Sequence, residues 1–193
     1  MGWNFGGAVI TFDYRTVASE LEERAQLRFA GMSAEELSAK DRMDAGVLAL
    51  GDLGIAVNAA DAPTDYESAT SREYDDYACT VENGRTVLLG RALGLSQTDE
   101  DLRAAASATS ARRGEVLLFW LNDASGTYQF SVFRAGHRVR CWSQGEGMHD
   151  DEGEPLEVEA GHRHGADRVF AVMKQAVNGA QLEHAGFEKL VAV

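Results

Sequence analysis

Residues Glu115–Glu159 read EVLLFWLNDASGTYQFSVFRAGHRVRCWSQGEGMHDDEGEPLEVE, and this stretch decides the fold class. Glu115–Leu121 is apolar at consecutive positions, the pattern of a central strand buried on both faces. Gln129–Phe133 and Arg138–Trp142 alternate instead, so each is expected to turn one face to water. The turns at Asn122–Tyr128 and Ala135–His137 are short enough to join the three strands as an antiparallel meander. Beyond Trp142 the chain becomes acidic. From Ser143 to Glu159 there are seven Asp or Glu and no Lys or Arg, and Pro155 is one of only two prolines.

Working outward, Ala8–Phe12 is an apolar, β-branched run after Gly6-Gly7 and predicts a buried strand. From Tyr14 to Phe29, apolar residues recur every three to four positions and predict an amphipathic helix. Gly31 ends it, and Ser33 with Glu36 forms a capping box for a second helix reaching Leu50. Leu53–Asn58 reads as a short strand, and the polar, turn-rich segment between Asp61 and Ser71 as a loop. Tyr77–Glu82 and Arg85–Leu89 flank Asn83-Gly84, the dipeptide that supplies both positive-φ positions of a type I′ hairpin turn. Between Leu95 and Gly114, a Ser96 or Thr98 cap, acids at 99–101 and Arg112-Arg113 mark a helix whose charges oppose its dipole. A last helix is expected over Ala166–Asn178, and a last edge strand over Phe187–Val193.

At 193 residues the chain fits one domain able to bury its own core. It has no apolar run near the ~18–20 residues of a membrane span, and no basic start of a signal peptide, so the expected location is cytoplasmic. Cys79 and Cys141 sit inside predicted strands and read as small buried hydrophobes, with a bridge between them as the lesser alternative. A net charge of −13 disfavours nucleic acid and anionic membrane; it is compatible with a basic protein partner or a metal ion, although solubility alone accounts for most acidic proteins.

The chain holds no Gly-x-Ser-x-Gly, no phosphate-binding glycine loop, and no cysteine beside a histidine, so catalytic residues are expected to be absent and no cofactor is implied. Two constellations remain. His149, His162 and His164, close to Asp150, Asp151, Glu152, Glu154, Glu157 and Glu159, contain donors that suit zinc or an iron-type ion. Against that stands the plainer reading of a solvated acidic loop. The second constellation is a surface for a basic protein. Tyr74, Asp75 and Asp76 form one acidic and aromatic group, and Trp142, Asp150, Asp151, Glu152 and Glu154 form another.

Gly126-Thr127-Tyr128-Gln129-Phe130, Arg138-Val139-Arg140 and Gly153-Glu154-Pro155-Leu156 together resemble small bacterial proteins, some of which look like the immunity proteins of toxin–immunity pairs. The resemblance covers about a quarter of the chain and contains no catalytic motif. It implies a cytoplasmic protein that binds and blocks a toxin without a cofactor, and it fixes no binding residue. The overall expectation is a single α+β domain. Its mostly antiparallel sheet is built from Ala8–Phe12, the Tyr77–Leu89 hairpin and the Glu115–Trp142 meander, with helices packed mainly on one face.

Overall fold

The computed structural model describes residues 4–18, 34–70, 76–97, 99–145, 147–162 and 164–193. Most of the helix expected over Tyr14–Phe29, the Ser33 cap, Tyr74 and Asp75 lie outside these residues. Among the described residues, nine strands form one antiparallel sheet: β1 (Asn4–Ile10), β2 (Val57–Thr64), β3 (Tyr77–Glu82), β4 (Arg85–Leu89), β5 (Val116–Asn122), β6 (Thr127–Arg134), β7 (His137–Gln144), β8 (Asp151–Glu152) and β9 (Phe187–Ala192). Their spatial order is β2-β9-β3-β4-β1-β5-β6-β7-β8. The helices among the described residues are α1 (Arg15–Ala18), α2 (Ala34–Asp52), α3 (Tyr66–Ala69), α4 (Glu100–Arg113) and α5 (Gly165–Ala176). This is a single-domain α+β fold.

β5 explains why the sheet needs cover on both sides. Its Val116 and Leu118 join one core with Ala45, Ala49 and Leu50 of α2 and Leu102 and Ala106 of α4. Its Leu117, Phe119 and Leu121 join the other, with Val169, Val172 and Met173 of α5. The two longer helices do share a face. The apolar stripe of α5 closes the opposite one, because β1, β5 and β6 carry large apolar side chains on both sides.

The meander and the hairpin form as the sequence predicts. β5–β6–β7 pair consecutively and antiparallel, and Asn83 and Gly84 take φ of 49° and 72° in the turn between β3 and β4. Other boundaries move for identifiable reasons. Leu53 is buried just after α2, and the strand expected over Leu53–Asn58 runs instead from Val57 to Thr64, into the segment read as a loop. Pro63 is tolerated there because β2 is an edge strand whose register slips between Ala59 and Pro63. The rest of that loop is the short α3, capped by Asp65, whose Oδ1 accepts from the Ser68 amide at 2.7 Å. α4 is capped by Asp99, which accepts from Leu102 N at 2.9 Å, rather than by Ser96 or Thr98, because residues 91–97 form a 3-10 turn ahead of it.

Two expectations are overturned. Gln129, Ser131 and Arg140 are at most 4% exposed, so β6 and β7 have no wet face over their centres. Strict alternation marks polar positions as wet only when nothing covers them, and here α4 and α5 cover both sides. β9 is not an edge strand: it lies between β2 and β3, paired to both, with Leu190 opposite Ala59 on one side and Tyr77 on the other. The cysteines are both free, and β3 and β7 are five strand spacings apart, about 24 Å, which excludes a bridge.

The interior placement of β9 predicts unequal costs within the strand and just beyond it. Leu190→Ala, at a fully buried position, is expected to cost about 2–5 kcal/mol in a denaturant titration, whereas Val193→Ala, 83% exposed, is expected to stay within about 0.5 kcal/mol. Equal effects would contradict the interior placement.

Candidate functional site

Arg138 and Arg140 are two residues apart and in a regular strand would share a face. Here the register shifts: Arg138 pairs with Phe133 and Arg140 with Val132, leaving Val139 as the extra residue of a bulge. Phe133 and Val132 belong to opposite cores, so the bulge sends the two arginines to opposite faces of the sheet. β8 supplies the matching acids by plain alternation, since Asp151 pairs with Trp142 and Glu152 with Cys141. On the α4 side, Arg138 Nη2 donates to Glu152 at 2.6 Å. On the α5 side, Arg140 Nη1 donates to Asp151 at 2.5 Å.

Arg140 is 1% exposed and is the largest fully buried side chain among the described residues. Its Nε and Nη2 form a two-pronged contact with Glu159 at 2.8 and 2.7 Å, and Nη1 also donates to the carbonyls of Cys141, Glu152 and Gly153. Glu159 is 5% exposed, and its Oε1 additionally accepts from the Leu156 amide at 2.7 Å. These bonds to Glu159 hold the guanidinium charged even more firmly than usual. A single arginine thus ties together β7, β8, Gly153 and the 3-10 turn at Glu157–Glu159.

Around this latch lies a layered aromatic and cationic stack. Trp142 lies at 29° to Phe130 with ring centroids 5.8 Å apart, and the Arg168 guanidinium of α5 covers the Trp142 ring at 4.5 Å. Arg168 also donates to the His162 carbonyl at 3.2 Å and stands 3.9 Å from Glu159. A depression of about 370 Å³ opens beside it, lined by Trp142, Gln144, His149, Asp150, Asp151 and Arg168. Asp150 is fixed by a reciprocal pair of bonds with Ser143: its amide donates to Ser143 Oγ at 2.9 Å, and Ser143 Oγ donates to its carboxylate at 3.0 Å.

Four of the sequence-derived partner-binding residues, Trp142, Asp150, Asp151 and Glu152, therefore meet at the β7–β8 edge, with Glu154 exposed just beyond them. They differ in availability. Trp142 is 7% exposed under Arg168, while the Asp151 and Glu152 side chains are 68% and 63% exposed. Asp76 does not join them. It pairs with Lys189 at 2.7 Å at the start of β3, six strand spacings or about 29 Å from β8. The two acidic groups do not converge.

The histidines do not converge either. His149 lines the depression beside Trp142, His162 lines a second, larger one along α5, and His164 immediately precedes that helix. Among the described residues no three His, Cys, Asp or Glu side chains are grouped to hold a metal ion. Glu159, counted among the acids near these histidines, is committed to Arg140. The thiol of Cys79 is pushed well up, first by burial and then by the neighbouring Glu188.

Sequence reasoning missed Arg168 and the pairing of Arg140 with Glu159, which it had placed only among the acids near the histidines. The available signal was Arg140 itself, a charge flanked by Val139, Cys141 and Trp142 in a strand of a two-sided core, which has to be matched by an acid. No family model, curated protein or solved structure matches this chain. Among the described residues no helix is long and apolar enough to cross a membrane.

The latch predicts a non-additive pair of mutations. Arg140→Met leaves buried Glu159 with only the more distant Arg168, at 3.9 Å, as counter-charge and is expected to cost about 3 kcal/mol in urea unfolding, while Arg140→Met with Glu159→Met costs less than that single change. Additive losses would contradict a direct pair. Separately, Cys79 and Cys141, both buried, are expected to resist alkylation in native protein and to react only after unfolding. Rapid labelling of either thiol would contradict their burial.

Proposed function

We propose that this chain is a non-catalytic, cytoplasmic protein of the immunity type, which binds a basic toxin through the acidic edge formed by β8 and the segment after it. The observation that carries the reading is a charge surplus held in a fixed shape. Once Arg140 is matched with Glu159 and Asp151, and Arg138 with Glu152, the acids Asp150, Glu154 and Glu157 are left without an ion pair among the described residues, and Glu154 and Glu157 are exposed. Acids on a preorganised edge speed encounter with a basic partner and select against acidic ones. The net charge of −13 works in the same direction.

The resemblance of residues 115–159 to immunity-like proteins supports the same class, and the alternative of a metal-dependent enzyme at His149, His162 and His164 is favoured by no grouping among the described residues. A basic protein is expected to co-purify stoichiometrically from the native host at low salt and to dissociate as salt rises. Glu154→Gln with Glu157→Gln, both on exposed side chains, is expected to leave the unfolding free energy within about 1 kcal/mol of wild type. The same pair is expected to weaken capture roughly tenfold. Capture of no stoichiometric partner, or equal capture by the variant, would overturn the proposal.

A further inference from the structure

Gln129 and Ser131 stand two residues apart on β6 and so on the same side of the strand, the side that meets α4. Gln129 is 4% exposed and Ser131 is fully buried. The orientation of the Gln129 amide is set by its Nε2, which donates to the Gly94 carbonyl and ties the 3-10 turn at Arg91–Gln97 onto the sheet. Gln129 Oε1 therefore faces away from that carbonyl and, as an oxygen, can only accept. Both Gln129 Oε1 and Ser131 Oγ are closed off from solvent and find no hydrogen-bond partner among the described residues.

Nothing on the neighbouring strands relieves them. Across from Gln129 stand Trp120 and Ser143, and Ser143 Oγ is committed to Asp150; across from Ser131 stand Leu118 and Cys141. Buried polar atoms in folded proteins are satisfied by protein or by ordered water. We propose that one internal water molecule binds between these two residues, donating to Gln129 Oε1 and hydrogen-bonded to Ser131 Oγ. The two Cα positions are about 6.8 Å apart along the strand, so a single bridging water requires the longer Gln129 side chain to hold its amide oxygen within about 5.6 Å of the Ser131 hydroxyl. The donor set selects the ligand. One amide oxygen and one hydroxyl, with no carboxylate, fall short of the oxygen count that calcium or magnesium requires, whereas water supplies the donor that Oε1 needs.

A crystal structure at a resolution that orders surface waters tests this directly. The expected result is a water peak within about 3.2 Å of both Gln129 Oε1 and Ser131 Oγ. A peak that reaches only one of them, or no peak, overturns the proposal. Ser131→Ala gives an independent readout through the sign of its effect. Removing an anchored water's ligand is expected to lower the melting temperature by roughly 2–4 °C. An unchanged or raised melting temperature is the behaviour of a dry, unpartnered hydroxyl, and overturns the proposal as well.

Discussion

The buried pair between Arg140 and Glu159 is the constraint on which the functional edge of this protein depends. An arginine that is 1% exposed cannot remain in an apolar layer without a counter-charge, and Glu159 provides it with both oxygens. Three carbonyls and Asp151 take up the remaining fork of the guanidinium, so a single side chain holds the backbone at Cys141, Glu152 and Gly153 as well as at Glu159. Gly153 shows how closely that path is held. It has φ of 81°, and a Cβ there would lie 2.1 Å from the Val139 carbonyl oxygen.

The same constraint explains how the sheet ends. β8 is only two residues long, and its alternating Asp151 and Glu152 meet arginines that the Val139 bulge has turned to opposite faces. A short, charged strand after a bulge offers a poor template for further pairing. At the other end, β2 is blunted by a different device, the register slip and Pro63. Between these edges, β9 fills an interior position beside β3, and Arg42 of α2 pairs with its Glu188, which is 5% exposed. Buried ion pairs thus pin elements at both flanks, while the two apolar cores fix the middle.

Local chemistry was legible in the sequence wherever neighbouring residues decide the outcome. Asn83-Gly84 announced its turn, and Glu115–Leu121 announced a strand buried on both faces. The charge order of residues 99–113 announced a helix, missing only which residue caps it. What was not legible depends on residues far apart in the chain. Phe187–Ala192 looks the same whether it is an edge or an interior strand, and only its pairing with both β2 and β3 distinguishes them. Arg140 looks like a wet position until α5 and Glu159 cover it. The acidic run after Trp142 was visible at once. Its division into charges spent on Arg138 and Arg140 and charges left over on the surface follows from the bulge, which leaves no mark in composition or spacing.

The central claim is that Glu159, through Arg140, fixes the shape of the acidic edge. Amide hydrogen exchange resolved over residues 150–159, compared between wild type and Glu159→Gln, tests it most directly. The account predicts slow exchange at Leu156, whose amide donates to Glu159, and faster exchange across this segment in the variant, with the β3–β4 hairpin unchanged. Identical exchange in the two proteins over residues 150–159 would contradict it.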